Sequence, residues 1–596
     1  MPVITTQKYN IHGAQQFVES LTEGLRTYGA NTASVNANST VLTISSNVFS
    51  TLRVGDILII NNESRLINSI ASNGTSVTVN AAFSTAITNQ LFKTREPLIQ
   101  YDSYYLFVGR STPWANGDSA PTAPVDTEQS SYDYLRDALV LRRLKNTDVA
   151  YVIPKYVWAN NTTYQMYNHT TISEYLANNA LIANTAAWPA GVVLGYPYVV
   201  TSTNDVFKCI FNGRMSSNNA TIAISIQEPT ITGVASPSDI VSSDAANQKF
   251  YTWKYLYSIP ESVAEKFMTG DYMPVINPSD TLDPGTGDIQ NDSSAAYTAF
   301  NAARNSGNGA IYQIVVENGG TQYNPNSAPV VAIDGDGTGA IASVQLTGNV
   351  VTGIHMEAYG QNYSFANVSI TTSNSGSGAS ATAIISPRAA FSNTSGTFYI
   401  SNHGISPRHE LHAHRVMLYA ELAGDVDGQL TTVNEYRRIG ILKNPLLING
   451  EIASADTYDL STSLTVSTAD TFVRDEIVYQ PSTHAYGVVV EHMGGVLKLV
   501  HTSRTLFSNA TSNTTILGIG NGNTQAIRAA SSNNVPSALP EMFVNIIPPS
   551  GSTAVVTAVT PPNIVPRTGE ILYVNHVTPV KRANTQSEAI RTILTF

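Results

Sequence analysis

The sequence predicts a mainly β, multi-domain protein: a β-sandwich framework with a few helices and three inserted small β-barrel or β-repeat modules. Three observations carry this. Only 13% of the 596 residues are charged, well below the usual quarter, while 42% are hydrophobic. The polar surface must then come mostly from Ser, Thr and Asn, which compete poorly in helix interiors and favour strands and loops. Short β-branched and aromatic runs recur along the chain, bounded by Gly, Pro and Asn turns. Finally, a stretch beginning at Ile311 is echoed from Val351, a period of about forty residues.

Residues 1–30 read as framework. A helix is expected from His12 to Thr27, with Phe17, Val18, Leu21 and Leu25 on one face. Residues 31–97 read as an inserted barrel. Strands are expected at 41–44, 56–60, 64–70 and 76–79, and Asn73-Gly74 suits a two-residue hairpin. Residues 98–305 return to the framework. Tyr105 to Val108 is a strand, a proline-rich loop follows, and Ser131 to Leu144 has the 3.6-residue period of a helix. Asp148 to Trp158 is extended, and 276–305 cluster Pro, Asp and Gly as a linker.

Residues 306–388 hold the repeat. Each unit is strand, Gly-Tyr turn, strand, Gly-rich turn, strand; the copies end their first strands at Tyr323 and Tyr363. Two units are too few for a long solenoid, so a compact paired β-domain is expected. Residues 389–450 are framework. Residues 451–535 read as a second barrel, with strands at 464–466, 477–479, 487–490 and 496–500. Residues 536–596 close the framework, ending in an apolar strand at Phe596.

Composition also bounds function. The net charge of −11 offers no basic stripe for nucleic acid. No apolar run reaches the ~20 residues of a membrane span. The stretch from Met1 to Thr6 lacks the charged and apolar regions of a signal peptide, so synthesis in a cytoplasm is expected. Cys209, the single cysteine, sits in an apolar run and reads as a buried structural thiol.

Three stretches invite chemistry. In His409-Glu410-Leu411-His412-Ala413-His414, an extended backbone would put His412 and His414 on one face. Two ligands per chain do not complete a metal site, and the spacing departs from His-Glu-x-x-His. Asp334-Gly335-Asp336-Gly337 resembles a calcium loop, but the second repeat has Ser373-Asn374-Ser375-Gly376 there, and a glycine-rich hairpin accounts for both. Asp475 and Glu476 are adjacent, so a strand would point them to opposite faces. No enzyme activity, metal or cofactor is therefore expected.

Five motifs follow one another in order. They are Gly109-Arg110-Ser111-Thr112-Pro113-Trp114 after an apolar strand; Val206-Phe207-Lys208-Cys209; Tyr251 through Ile259-Pro260; Tyr436-Arg437-Arg438-Ile439-Gly440-Ile441 with Asn444-Pro445; and Thr568 to Tyr573 through Ile593 to Phe596. Together they resemble the baseplate wedge subunit of T-even-type contractile-tailed phages, the product of the eighth gene in that series. The resemblance runs through about half of the chain; the inserted modules are the departure from it. It implies a virion protein of the tail baseplate, assembled in the host cytoplasm. It would be a mostly β homodimer within each wedge, with other baseplate wedge proteins as partners. It would link the wedge core to peripheral pin or fibre proteins and shift as a body when the baseplate changes state. The framework or interaction candidates are Arg110, Pro113, Trp114, Trp253, Tyr436, Arg437, Tyr573 and Phe596. The alternative is a receptor- or glycan-binding tail fibre or spike protein, which trimerisation would favour. A virion-associated glycan-degrading enzyme ranks last, because no site for it is recognisable.

Overall fold

Alternating and continuously apolar runs become strands throughout, arranged in seven sheets among the described residues. The structure is a computed structural model. It describes residues 6–21, 25–45, 52–60, 63–71, 75–83, 85–95, 102–110, 114, 119–169, 192–193, 197–212, 224–230, 240–244, 249–276, 309–373, 375–387, 407–423, 435–467, 472–474, 476–480, 483–500, 507–509, 515–519, 553–581 and 587–596. The protein is mainly β and multi-domain, as its composition predicts. Among the described residues no helix is long and apolar enough to cross a membrane. Of the linker placed at 276–305, only Ile276 is among the described residues.

Three antiparallel sheets build the framework. A five-stranded sheet runs in the order Thr457–Asp459, Ala138–Arg143, Tyr104–Gly109, Glu435–Lys443, Glu570–Lys581. A four-stranded sheet joins Tyr272–Pro274, Val149–Pro154, Arg415–Ala423 and Ser587–Thr595. Another joins Tyr198–Val200, Asp205–Asn212, Lys249–Ser258 and Ile240–Asp244. Strand periodicity sorts their side chains: Leu106 and Val108 enter the central core, whereas Tyr105 and Phe107 face a second core with Tyr458 and Ile564. Ile153, Val416 and Leu418 come to the central core from the second sheet, and Val206, Cys209 and Tyr255 from the third. Cys209 is a free, buried thiol there.

Two helix expectations are corrected. Helix α1 is Gln7–Ser20, started by Thr6, whose hydroxyl accepts from the Tyr9 backbone N–H at 3.2 Å. The chain is already a strand at Leu25–Val35, because Leu25 pairs with Arg95 to close a barrel. Helix α2 is Glu128–Asp137, capped by Thr127, and stops well before Leu144. Ala138 to Leu141 is apolar at every position. That suits the middle of a sheet buried on both faces, where it pairs with Tyr104–Gly109. Tertiary burial overrides the helical period.

Two six-stranded closed barrels flank the framework. The first follows the ring Leu25–Val35, Val41–Ile44, Ser76–Val79, Glu63–Ile70, Ile57–Ile60, Ile87–Arg95. The second follows Thr553–Thr560, Thr462–Ser467, Val496–Val500, Ala485–Met493, Ile477–Gln480, Thr515–Ile519. Written this way the rings have the same strand order: the last strand of the second barrel occupies the place of the first strand of the first. One barrel is a circular permutant of the other. Detail agrees. Asp56 N–H donates to Arg53 O at 3.2 Å and Glu476 N–H to Val473 O at 3.1 Å; Ile67 N–H donates to Asp56 O and Val489 N–H to Glu476 O, both at 2.8 Å. Equivalent bulges follow, between Ile67 and Ser69 and between Val489 and Glu491. The boundaries move accordingly. The first barrel begins at Leu25 rather than 31, and Thr553–Thr560, placed by sequence in the closing framework, completes the second ring.

The repeat forms one six-stranded sheet: Ile311–Thr321, Ser377–Ile385, Ala366–Thr371, Val330–Gly335, Thr338–Thr347, Val350–Gln361. Exchanging the two repeats reverses this order, so a pseudo-two-fold axis passes between Val330–Gly335 and Ala366–Thr371. Each repeat gives its last strand to the first strand of the other. The tyrosines lock the exchange: a Cβ on Gly337 would enter the Tyr363 ring, and one on Gly376 the Tyr323 ring. Gly320 and Gly360 precede those tyrosines at φ +61° and +64°, a backbone that L side chains rarely adopt.

Candidate functional site

The seam expected from the Gly109–Trp114 motif is built around a buried carboxylate. Gly109 pairs with Arg438, and a Cβ at Gly109 would lie 3.1 Å from the Asp137 carbonyl oxygen. The Arg438 guanidinium donates to the Asp137 carboxylate and lies 5.0 Å from the Tyr134 ring centre. Arg136 reaches the other Asp137 oxygen at 3.2 Å. Trp114 packs on His576 with ring centres 4.8 Å apart, and its Nε1 donates to Val577 O at 2.9 Å. His576 Nδ1 donates to Thr122 O at 2.6 Å, and burial holds this histidine below its ordinary pKa. The loop is thus clamped to the edge strand Glu570–Lys581. Arg110, buried, donates from Nη1 to Val489 O at 3.3 Å and so reaches into the second barrel.

The other sequence candidates lie elsewhere. Pro113 is outside the described residues. Trp253 is fully buried in the third sheet, stacked on Tyr251 at 5.5 Å. Tyr436 joins the central core, and Arg437 beside it is buried. Tyr573 is half-buried opposite Ile441, and its carbonyl approaches Gly440 too closely for any Cβ there. Phe596 packs on Phe17 at 5.6 Å and donates its backbone N–H to His414 O at 3.2 Å, joining the end of the chain to α1. The candidates therefore mark several packing points, and the structure does not bring them into one site.

The histidine stretch is corrected too. Pro407–Glu410 is a helical turn, and His412 has φ +53°, so His412 and His414 are not alternate residues of a strand. His414 Nδ1 donates to His412 O at 2.9 Å, and burial lowers its pKa. The Asp336 carboxylate accepts from the Ser364 and Phe365 backbone N–H groups at 2.7 and 3.2 Å and from the Ser364 hydroxyl. Those bonds hold its pKa at about 2, and it serves as a turn cap. At the other turn Pro325 stands where Phe365 does and has no N–H, so one of the two backbone donors is missing there.

A second buried charged cluster was missed in the sequence. Lys208 and Lys254 are directly opposite each other across two antiparallel strands, and each is 1% exposed. Like charges in that position repel. Glu410, 3% exposed, bridges them: Lys254 Nζ donates to both its oxygens at 3.0 Å and Lys208 Nζ to one at 3.2 Å. Tyr312, from the first strand of the repeat sheet, accepts from Lys254 Nζ at 2.6 Å and donates to Glu410 at 2.9 Å. Lys208 Nζ also sits 3.6 Å from the Tyr167 ring centre. Burial pushes Lys208 down to about 8, partly opposed by Glu410. Burial would raise Glu410, but the two ammonium groups and the tyrosine hydroxyl hold it at about 2. Lysines inside the otherwise apolar runs Val206–Phe211 and Tyr251–Tyr257 were the available signal.

No protein-family profile matches this chain, and no curated protein sequence matches it either.

Proposed function

We propose that the chain is a structural subunit of a phage contractile-tail baseplate wedge. It connects the wedge core to peripheral pin or fibre proteins and moves as a body when the baseplate changes state. The observation that supports this most is the way modules are keyed to a framework. Arg110 reaches into the second barrel, and Tyr312 of the repeat sheet enters the charged cluster of the framework. Ile477, Val488, Val490 and Val500 of the second barrel also share the central core. While closed, such joints transmit a displacement of the framework to its modules, because packed interfaces move as units. The ordered sequence resemblance supplies the biological setting. The test is co-assembly: the purified chain mixed with wedge proteins of the same virion should elute with them as one complex on gel filtration. Separate elution of every component at micromolar concentration contradicts the reading.

A further inference from the structure

The chain enters the repeat sheet at Gly309 and leaves it at Pro387, and the Gly309 N–H donates to Pro387 O at 3.4 Å. Entry and exit are therefore adjacent. Inside, the sheet has a core of its own, including Ile314, Val316, Tyr323, Ile354 and Tyr363. Among the described residues its attachment to the framework is narrow: Tyr312, Val315 and Ile384 join the central core, and Ile385 N–H donates to His169 Nδ1 at 3.3 Å. At Tyr312, two ammonium groups face one carboxylate, the only one they touch among the described residues.

We propose that Lys208, Lys254, Glu410 and Tyr312 form a latch with one surplus positive charge, through which the repeat sheet lifts from the framework as a folded unit. Glu410 is the element that holds. It neutralises one ammonium, offsets the cross-strand repulsion of the pair and accepts the Tyr312 hydroxyl. The surplus charge keeps the joint below its greatest possible strength. Lys208 is the surplus member, since it donates to one oxygen while Lys254 donates to both and to Tyr312. A joint built only for stability would be filled with apolar side chains of similar volume, which bury without desolvating charge. This inference does not depend on where the protein is assembled.

Hydrogen–deuterium exchange on the full chain tests it through two substitutions with opposite expected effects. Glu410→Gln leaves two buried ammonium groups without a counter-charge. Exchange at Ile385, whose N–H donates across the joint to His169, should rise at least tenfold, while Ile311–Thr321, Val330–Gly335 and Ala366–Thr371, bonded within the sheet, keep wild-type protection. Lys208→Met removes the surplus charge at similar volume and should leave opening unchanged or slow it. If Lys208→Met instead speeds exchange at Ile385, the joint is ordinary packing and the proposal fails. It fails equally if Glu410→Gln exposes Val330–Gly335 along with the joint, because the sheet then unfolds rather than lifts. Should Glu410→Gln not fold, the sign of the Lys208→Met effect decides alone.

Discussion

Trp114 shows how much one side chain carries in the framework. It holds a long loop against an edge strand by ring packing on His576 and one hydrogen bond to Val577 O. Trp114→Phe keeps most of the packing and should cost about 1 kcal/mol for the lost bond. Trp114→Ala should cost about 3 kcal/mol or more. Denaturant midpoints followed by circular dichroism distinguish the two, and equal losses would mean that the bond to Val577 carries the whole effect. The repeat sheet offers a sharper case. Gly337→Ala drives a methyl into the Tyr363 ring and should cost about 1–3 kcal/mol, the ordinary cost of overpacking. With Tyr363→Ala already present the same methyl should cost far less. A double-mutant cycle with no coupling would show that Tyr363 does not lie on Gly337 in solution. Such glycines were legible in the sequence as recurring Gly-rich turns. What each glycine made room for was not, because Gly337 and Tyr363 belong to different repeats. The charged cluster was hidden for the same reason: Glu410 meets Lys208 across 202 positions of sequence.

At the scale of elements, local signals served the barrels and the repeat well. Alternation at 41–44 and 76–79, with Asn and Gly turns between, gave each strand its place, and the observed strands are Val41–Ile44 and Ser76–Val79. Ring closure was not local. Residues 25–30 and Thr553–Thr560 read as neighbouring framework in the sequence, because the pairings that close the rings, Leu25 with Arg95 and Ser463 with Thr560, span long stretches of chain. The permuted equivalence of the barrels also explains why they attach differently. Val488, Val490 and Val500 face the central core in the second barrel; Leu66, Asn68 and Asn80 hold the corresponding places in the first, whose core is separate. Val490→Asn should therefore weaken the packing of the second barrel on the framework and raise opening of the strand that carries it. Exchange should rise at Ala485–Met493 and stay unchanged at Ile57–Ile60. Unchanged exchange at Ala485–Met493 would mean that the apolar outer face does not anchor this barrel.

For the whole molecule, the buried cluster sets a dependence on pH. Glu410 ionises at about 2 in the folded chain against an ordinary 4.5, so its contribution is complete above pH 4.5 and is lost as pH falls towards 2. Lys208 runs the other way. Its folded value of about 8 lies below the ordinary 10.5, so the cost of burying it is relieved as pH rises from 8 to 10.5. Thermal melts at pH 3 and pH 6 should show an acid loss that is smaller in a Lys208→Met, Lys254→Met, Glu410→Met triple variant. An equal acid loss in both proteins would place the sensitivity in other carboxylates.

As a proposed wedge subunit, the chain should pair with a second copy of itself. Light scattering coupled to gel filtration measures the solution mass directly. The expected result is a dimer, twice the 63.8 kDa of one chain. A stable trimer would contradict it and favour a receptor-binding fibre or spike.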